Sequence, residues 1–272
     1  MKIIQQTNMS ITQMMGYTFV ADSGHVLVVD GGYTGNDGEL RRIINSVGGH
    51  VHLWLITHPH NDHHNAVMDL LSDPKEIAYD AIGTSRLSDE WADSLGVSDA
   101  KELIEWNAFA KTLDKRYFEI LPGQRFELGT MAVEVLAGAN PDLTMNPINN
   151  QSCVFRITEG DFSMLVLGDL GEEAGCRLMN TGADLRADAV QMAHHGQQGV
   201  NEDFYKAVMP TYAFWPTPDW LWDNILPNTD GKPGPFKTLE TRSWMEKLNT
   251  VNITSMEHTI IFDTHTKTFE PY

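Results

Sequence analysis

THPHNDHH, residues 57–64, places four of the chain's 11 histidines and an aspartate within eight residues. It closes VHLWLIT (51–57), an apolar run that reads as a buried strand. His58 precedes Pro59, which biases it toward extended backbone. Residues two apart in an extended loop point the same way, so His58 and His60 can reach one point. Asp62 falls where a helix should start, and His63 beside it projects in another direction. Two imidazoles aimed at one point, with a carboxylate and an imidazole at a neighbouring point, suit a pair of metal ions.

The rest of the chain sets bounds on that reading. At 272 residues with 42% hydrophobic and 21% charged residues, it can build a sizeable core. Its net charge of −18 repels polyanions, which disfavours nucleic acid as a partner. Two cysteines, Cys153 and Cys176, exclude a disulfide framework and a four-thiolate zinc site. Cys153, inside CVFRI, reads as a small core residue. No run of 18 apolar residues suggests a membrane span, and MKIIQQTNMSITQMMGYTF lacks a signal-peptide core, so a cytoplasmic location is expected.

Strands are expected at 2–5, 16–21 and 25–30, with a hairpin-type turn at Ser23-Gly24. Helices are expected at 37–47, ended by Gly48-Gly49, and at 62–71. Residues 88–117 carry helical periodicity, and the segment at about 85–120 reads as a helical insertion with Trp91 and Trp106 as packing residues. Strand pattern returns over 123–136, in a hairpin of 151–158 with 162–168, and at 188–193. Helices are expected at about 171–180, 201–208 and 237–248, and short strands at 251–255 and 258–263 close the chain. The segment 216–235 reads as a long loop. No linker or repeat interrupts residues 1–272, so a single domain of sheets covered by helices is expected.

Two later strand ends supply further candidate ligands. VLGDL puts Asp169 after SMLVLG, and QMAHHGQQG puts His194 and His195 after AVQMA. Gly168 and Gly196 leave room for the backbone there.

This order, with H-x-H-x-D-H at His58, His60, Asp62 and His63, then Asp169, then the HHG pair, resembles the metallo-β-lactamase fold superfamily. VVDGG, with Asp30, matches the family's first aspartate motif. The resemblance implies an α/β fold, an αββα four-layer sandwich with the site at one edge between two sheets. It implies His58 and His60 on a first metal, Asp62, His63 and an HHG histidine on a second, Asp169 bridging, and Asp30 orienting the loop behind them. Two divalent ions, zinc by preference with manganese or iron as alternatives, would lower the proton affinity of a water between them.

The family's Gly-His-Thr type motif between 130 and 155 is absent, and NPINNQSCVF stands in its place. That pattern is similar to the subgroup of competence-protein (DNA-uptake) hydrolase domains and phosphorylcholine esterases. Asn149, Asn150 and Ser152 are candidates to line the site, and His64, Asn150 and Trp215 are candidate substrate contacts. Dioxygen-handling relatives carry Glu where this chain has His60, which favours hydrolysis over redox chemistry. One of His194 and His195 is expected to bind metal, with a slight preference for His194, and the other to donate a proton or hydrogen bond, so that Asp62, His194 and His195 are the candidate catalytic residues. YAFWPTPDWLWDN (212–224) is a candidate specificity segment, and His258 reads as structural or as lying behind the site. The expected activity is metal-dependent hydrolysis of a small phosphoester. The alternatives are a nuclease or phosphodiesterase acting on nucleic acid, a lactone or thioester hydrolase, and a non-catalytic metal-binding protein.

Overall fold

A computed structural model of the chain describes residues 1–75 and 77–272. The chain opens with β1 (Lys2–Gln5), β2 (Gly16–Val20), β3 (Val26–Asp30), α1 (Asp37–Ser46), β4 (His50–Val51), β5 (Leu53–Leu55) and α2 (Asn61–Ser72). It continues through β6 (Ala78–Tyr79), β7 (Ile82–Thr84), α3 (Asp89–Leu95), α4 (Ala100–Ala110) and β8 (Tyr117–Glu119). Then come β9 (Arg125–Leu128), β10 (Met131–Ala137), β11 (Val154–Glu159), β12 (Phe162–Val166), α5 (Glu172–Asn180), β13 (Ala189–Gln191) and α6 (Glu202–Val208). The remainder is β14 (Tyr212–Trp215), α7 (Asp219–Trp222), α8 (Thr238–Lys247), β15 (Val251–Thr254), β16 (Ile260–Asp263) and β17 (Thr268–Pro271).

Two large sheets result, ordered β17-β16-β1-β2-β3-β5-β7-β8 and β15-β14-β13-β12-β11-β10-β9. Alternation along the strands explains how they stack. In β3, Leu27 and Val29 face inward to a core shared with Met131, Val133, Phe155, Ile157, Met164 and Phe214 of the other sheet. Val26 and Val28 face outward, against Leu40, Ile44, Val67, Leu70 and Trp106 of α1, α2 and α4. The second sheet repeats the arrangement, with Leu165, Val190 and Ala213 packing on Leu178, Phe204, Val208 and Met245 of α5, α6 and α8. Apolar residues on both faces of both sheets thus make four layers, helix–sheet–sheet–helix. No helix among the described residues is long and apolar enough to cross a membrane.

Several local expectations change. The run 51–57 is two strands, because His52 turns to bond Val26 through its backbone N–H and accepts the Val26 N–H on Nδ1. Tyr117 leaves the helical stretch and starts β8. Strands β6, β7, β8, β14 and β17 are additional to those expected and are two to four residues long. Within 216–235 the chain makes the short helix α7. His258 is exposed in the turn before β16, remote from a buried supporting role.

Candidate metal centre

Strands β3 and β5 are parallel neighbours in one sheet, and β12 and β13 in the other. Their C-terminal ends meet at one edge of the sandwich, so the loops leaving them bring Asp30, His58–His63, Asp169 and His194–His195 together. The Cys153 N–H donates to the Thr57 carbonyl at 2.8 Å, tying the second sheet to the histidine loop.

Asp30 anchors that loop from beneath. It is fully buried and its φ is 57°, the left-handed region. Its carboxylate accepts from the Thr57 N–H at 2.8 Å, the Thr57 hydroxyl at 2.7 Å and His63 Nδ1 at 2.7 Å. Burial pushes this carboxyl up, while the His63 imidazole opposes the shift. With Nδ1–H donated to Asp30, His63 turns Nε2 toward Asp169 Oδ1, 3.2 Å away, and Asp62 Oδ1, 3.9 Å away. His195 is oriented the same way. Its Nδ1–H donates to the Pro216 carbonyl at 2.9 Å, leaving Nε2 at 3.2 Å from Asp62 Oδ2 and 3.5 Å from Asp169 Oδ2.

These contacts set nitrogen lone pairs against carboxylate oxygens, which is repulsive without a cation or proton between them. His63 Nε2, His195 Nε2 and Asp169 Oδ1 are buried with no hydrogen-bond partner among the described residues. Buried polar atoms are almost always satisfied, so three converging orphans are a specific observation. One donor atom from each of Asp62, His63, Asp169 and His195 lies within 4.8 Å of the others, a fit for one divalent cation. His58, His60 and Asp169 form a second such group. There His58 Nε2 and His60 Nδ1 are 3.0 Å apart, and Asn149 Oδ1 lies 3.2 Å from His58 Nε2. Asp169 is common to both groups.

The electrostatics agree. Burial acts to raise the Asp169 carboxyl, but His195, His63 and His194 overturn it and hold it well below its ordinary value. Asp62 is likewise lowered against burial, by His63 and His195. Burial works against charge on His195, yet Asp169 and Asp62 raise it to about 9. His58 is pushed well below the ordinary value, by burial and then by His63.

The backbone around these groups is tight. Gly168 has φ +56°, and a Cβ there would meet Ser152 Oγ and Thr57 Cβ at 2.8 Å. Ser152 Oγ in turn accepts the Asp169 N–H at 2.9 Å. His194 and His195 both lie in the left-handed region, at φ 51° and 53°. Such residues cost on the order of 1–3 kcal/mol each and need fixing by their surroundings. Here the His194 N–H donates to Gly168 O at 3.0 Å and the Thr217 hydroxyl to His195 O at 2.7 Å.

The slight preference for His194 as ligand is reversed by this geometry. His195 joins the four-residue group, whereas His194 Nε2 stands 3.7 Å from Asp169 Oδ2 and 3.3 Å from Asn149 Nδ2. Three candidate substrate contacts also change. Trp215 is fully buried, its Nε1 donating to Asn252 Oδ1 and its ring packed edge-on to Trp222. His64 is fully buried and stacked on Trp106 at 5.4 Å, because the first turn of α2 faces α4 instead of solvent. Asn150 turns away from the centre to cap α5, its Oδ1 accepting the N–H groups of Gly171 and Ala174. Asn150→Ala should therefore cost about 1–2 kcal/mol in chemical denaturation and leave metal stoichiometry unchanged. A loss of bound metal would return Asn150 to the site. Its neighbour Asn149 faces the imidazoles.

A third group, His50, His52 and Asp80, lies on the surface. His52 Nδ1 already accepts the Val26 N–H, so its Nε2 keeps the proton and has no lone pair to offer.

No family model matches the chain. A 96-residue stretch is 29% identical to ComE operon protein 3 of Bacillus subtilis (strain 168), covering 35% of this chain and only 12% of that protein. Among solved structures, the metallo-β-lactamase fold protein YhfI from Bacillus subtilis superposes with a TM-score of 0.57 at 13% identity, over 97% of this chain and all of that one. A CmlA β-hydroxylase mutant gives a TM-score of 0.56 at 14% identity, over 92% of this chain and 52% of that one. The stacked sheets, their helical covers and the buried histidine–aspartate cluster at the strand ends agree with these superpositions: the chain has the metallo-β-lactamase fold.

Proposed function

We propose that the chain is a metal-dependent hydrolase acting on a small phosphoester, with two divalent cations, zinc by preference, held by the two donor groups that share Asp169. The supporting observation is the trio of orphaned buried atoms, His63 Nε2, His195 Nε2 and Asp169 Oδ1. In this reading Asp62, His63, Asp169 and His195 hold one cation, and His58, His60 and Asp169 the other. When bound, the pair would supply Lewis acidity toward a phosphoryl or carbonyl oxygen and activate water near neutral pH.

The chain's own residues divide the remaining work. Asp30 and the Pro216 carbonyl take the Nδ1–H groups of His63 and His195, so that Nε2 is the atom each ring would present to a cation. Asn149 offers Oδ1 beside His58, in the region where the family has its missing histidine. Burial holds His194 below the ordinary imidazole value, which favours its neutral form, and its Nε2, 3.3 Å from Asn149 Nδ2, can take a proton. The net charge of −18 favours a small substrate over nucleic acid. A hydroxylase shares the fold, so the fold alone does not choose the reaction.

The test is elemental analysis of the untagged protein coupled to a phosphoester, lactone and thioester screen. Two zinc equivalents and a phosphoesterase activity lost to chelator and restored by zinc are expected. Bound metal without turnover on any panel would leave a metal-binding protein and end the hydrolase reading. A linked expectation concerns pH. Without metal, His195 keeps its proton up to about pH 9, and a cation needs Nε2 unprotonated. Binding near neutral pH should therefore release about one proton from this group, and affinity should rise with pH until about 9. Calorimetry in buffers of different ionisation enthalpy reads this directly; a buffer-independent enthalpy would contradict it.

A further inference from the structure

The helices between β7 and β8 touch the histidine loop along one face. Asp99, Glu102 and Trp106, spaced by three and four residues on and just before α4, reach His60, Asn61 and His64. Asp99 is the N-cap residue of α4, yet its side chain makes no capping hydrogen bond to the helix. Its Oδ2 instead accepts from His60 Nε2 at 3.1 Å. Glu102 takes the Asn61 backbone N–H at 2.9 Å and the Asn61 side-chain N–H at 3.0 Å, clamping the first residue of α2. His60 has only two ring nitrogens. With Nε2–H committed to Asp99, Nδ1 is left as a lone pair, and it points at His58 Nε2, 3.0 Å away.

We propose that Asp99 is a positioning residue of the metal centre: it fixes the His60 ring for coordination through Nδ1, so that the helical segment 89–110 tunes the affinity of the first cation site. This rests on the two-cation reading above. A carboxylate behind a ligating imidazole locks its tautomer and raises its basicity, and removing such a partner typically lowers metal affinity by about 10–100-fold. The second site, built from Asp62, His63, Asp169 and His195, has its own supports in Asp30 and Pro216 and should not respond.

The experiment is zinc titration of the full chain against a chromophoric chelator, with cobalt absorption as a spectroscopic readout, on wild type, Asp99→Ala, Asp99→Asn and the exposed control Glu105→Ala. Expected is one zinc-binding event weakened by about 10–100-fold in Asp99→Ala, with the other unchanged and an altered cobalt spectrum. Asp99→Asn, whose Oδ1 still accepts from His60 Nε2, should recover most of the loss. Two zinc events of wild-type affinity in Asp99→Ala would overturn this inference and leave the proposed function standing. Both events weakened equally, together with a lowered melting temperature, would also overturn it, since that marks a role in folding alone. A wild-type chain that binds fewer than two zinc ions would overturn the two-cation reading and this inference with it.

Discussion

Replacing Asp169 with alanine should empty both donor groups at once and reduce hydrolysis on the order of 10³-fold or more. Its two oxygens serve different neighbours: Oδ1 lies 3.2 Å from His63 Nε2, and Oδ2 lies 3.5 Å from His195 Nε2 and 3.9 Å from His58 Nε2. No other carboxylate belongs to both groups. Lewis-acid stabilisation of a transition state is worth several kcal/mol, and each 1.36 kcal/mol is tenfold in rate. Zinc titration and steady-state kinetics on the same preparation check the two halves of the expectation. An Asp169→Ala protein that keeps two zinc ions would show that the groups do not share this carboxylate.

Asp30→Asn should act through a proton. The carboxylate accepts from both Thr57 donors and from His63 Nδ1. An asparagine with Oδ1 kept on the Thr57 N–H would turn its Nδ2–H toward His63 Nδ1, driving the ring proton to Nε2. Nε2 is the atom that faces Asp169 and Asp62. A wrong histidine tautomer in an otherwise intact site can cost as much as about 10⁴-fold in turnover, and a loss on the order of 10³-fold is expected here. Asp30→Ala differs: it strands the buried Thr57 and His63 donors, for a cost of about 3–5 kcal/mol in stability. Near-native thermal stability with collapsed second-site zinc affinity in Asp30→Asn is the outcome that fits. Unchanged metal affinity would mean the tautomer is fixed elsewhere.

The legible parts of this chain were those whose residue type and period agree. HVLVVD, SMLVLG and AVQMA are apolar runs ended by Asp, Gly-Asp or His-His, and their strands and strand-end residues are where the sequence puts them. The histidine loop was readable because an extended residue followed by a helix start is local chemistry: His60 is extended, and the helix opens at Asn61, one residue before the expected Asp62. What escaped depends on neighbours distant in sequence. β7 is only Ile-Gly-Thr, and its Gly83 is there because the Phe118 ring packs where a Cβ would stand, 2.5 Å away. Asp99 carries no signal of its own in the sequence, since only the packing of α4 on α2 turns it to His60. Trp215 and His64 were misread for a shared reason: an aromatic or imidazole in a polar stretch looks accessible until the helix that covers it is known.

The most direct test is a crystal of the zinc-loaded protein measured across the zinc absorption edge. Two anomalous peaks are predicted, one within Asp62, His63, Asp169 and His195 and one within His58, His60 and Asp169. A single peak, none, or density only at the surface trio of His50, His52 and Asp80 would contradict the dinuclear centre on which the proposed chemistry depends.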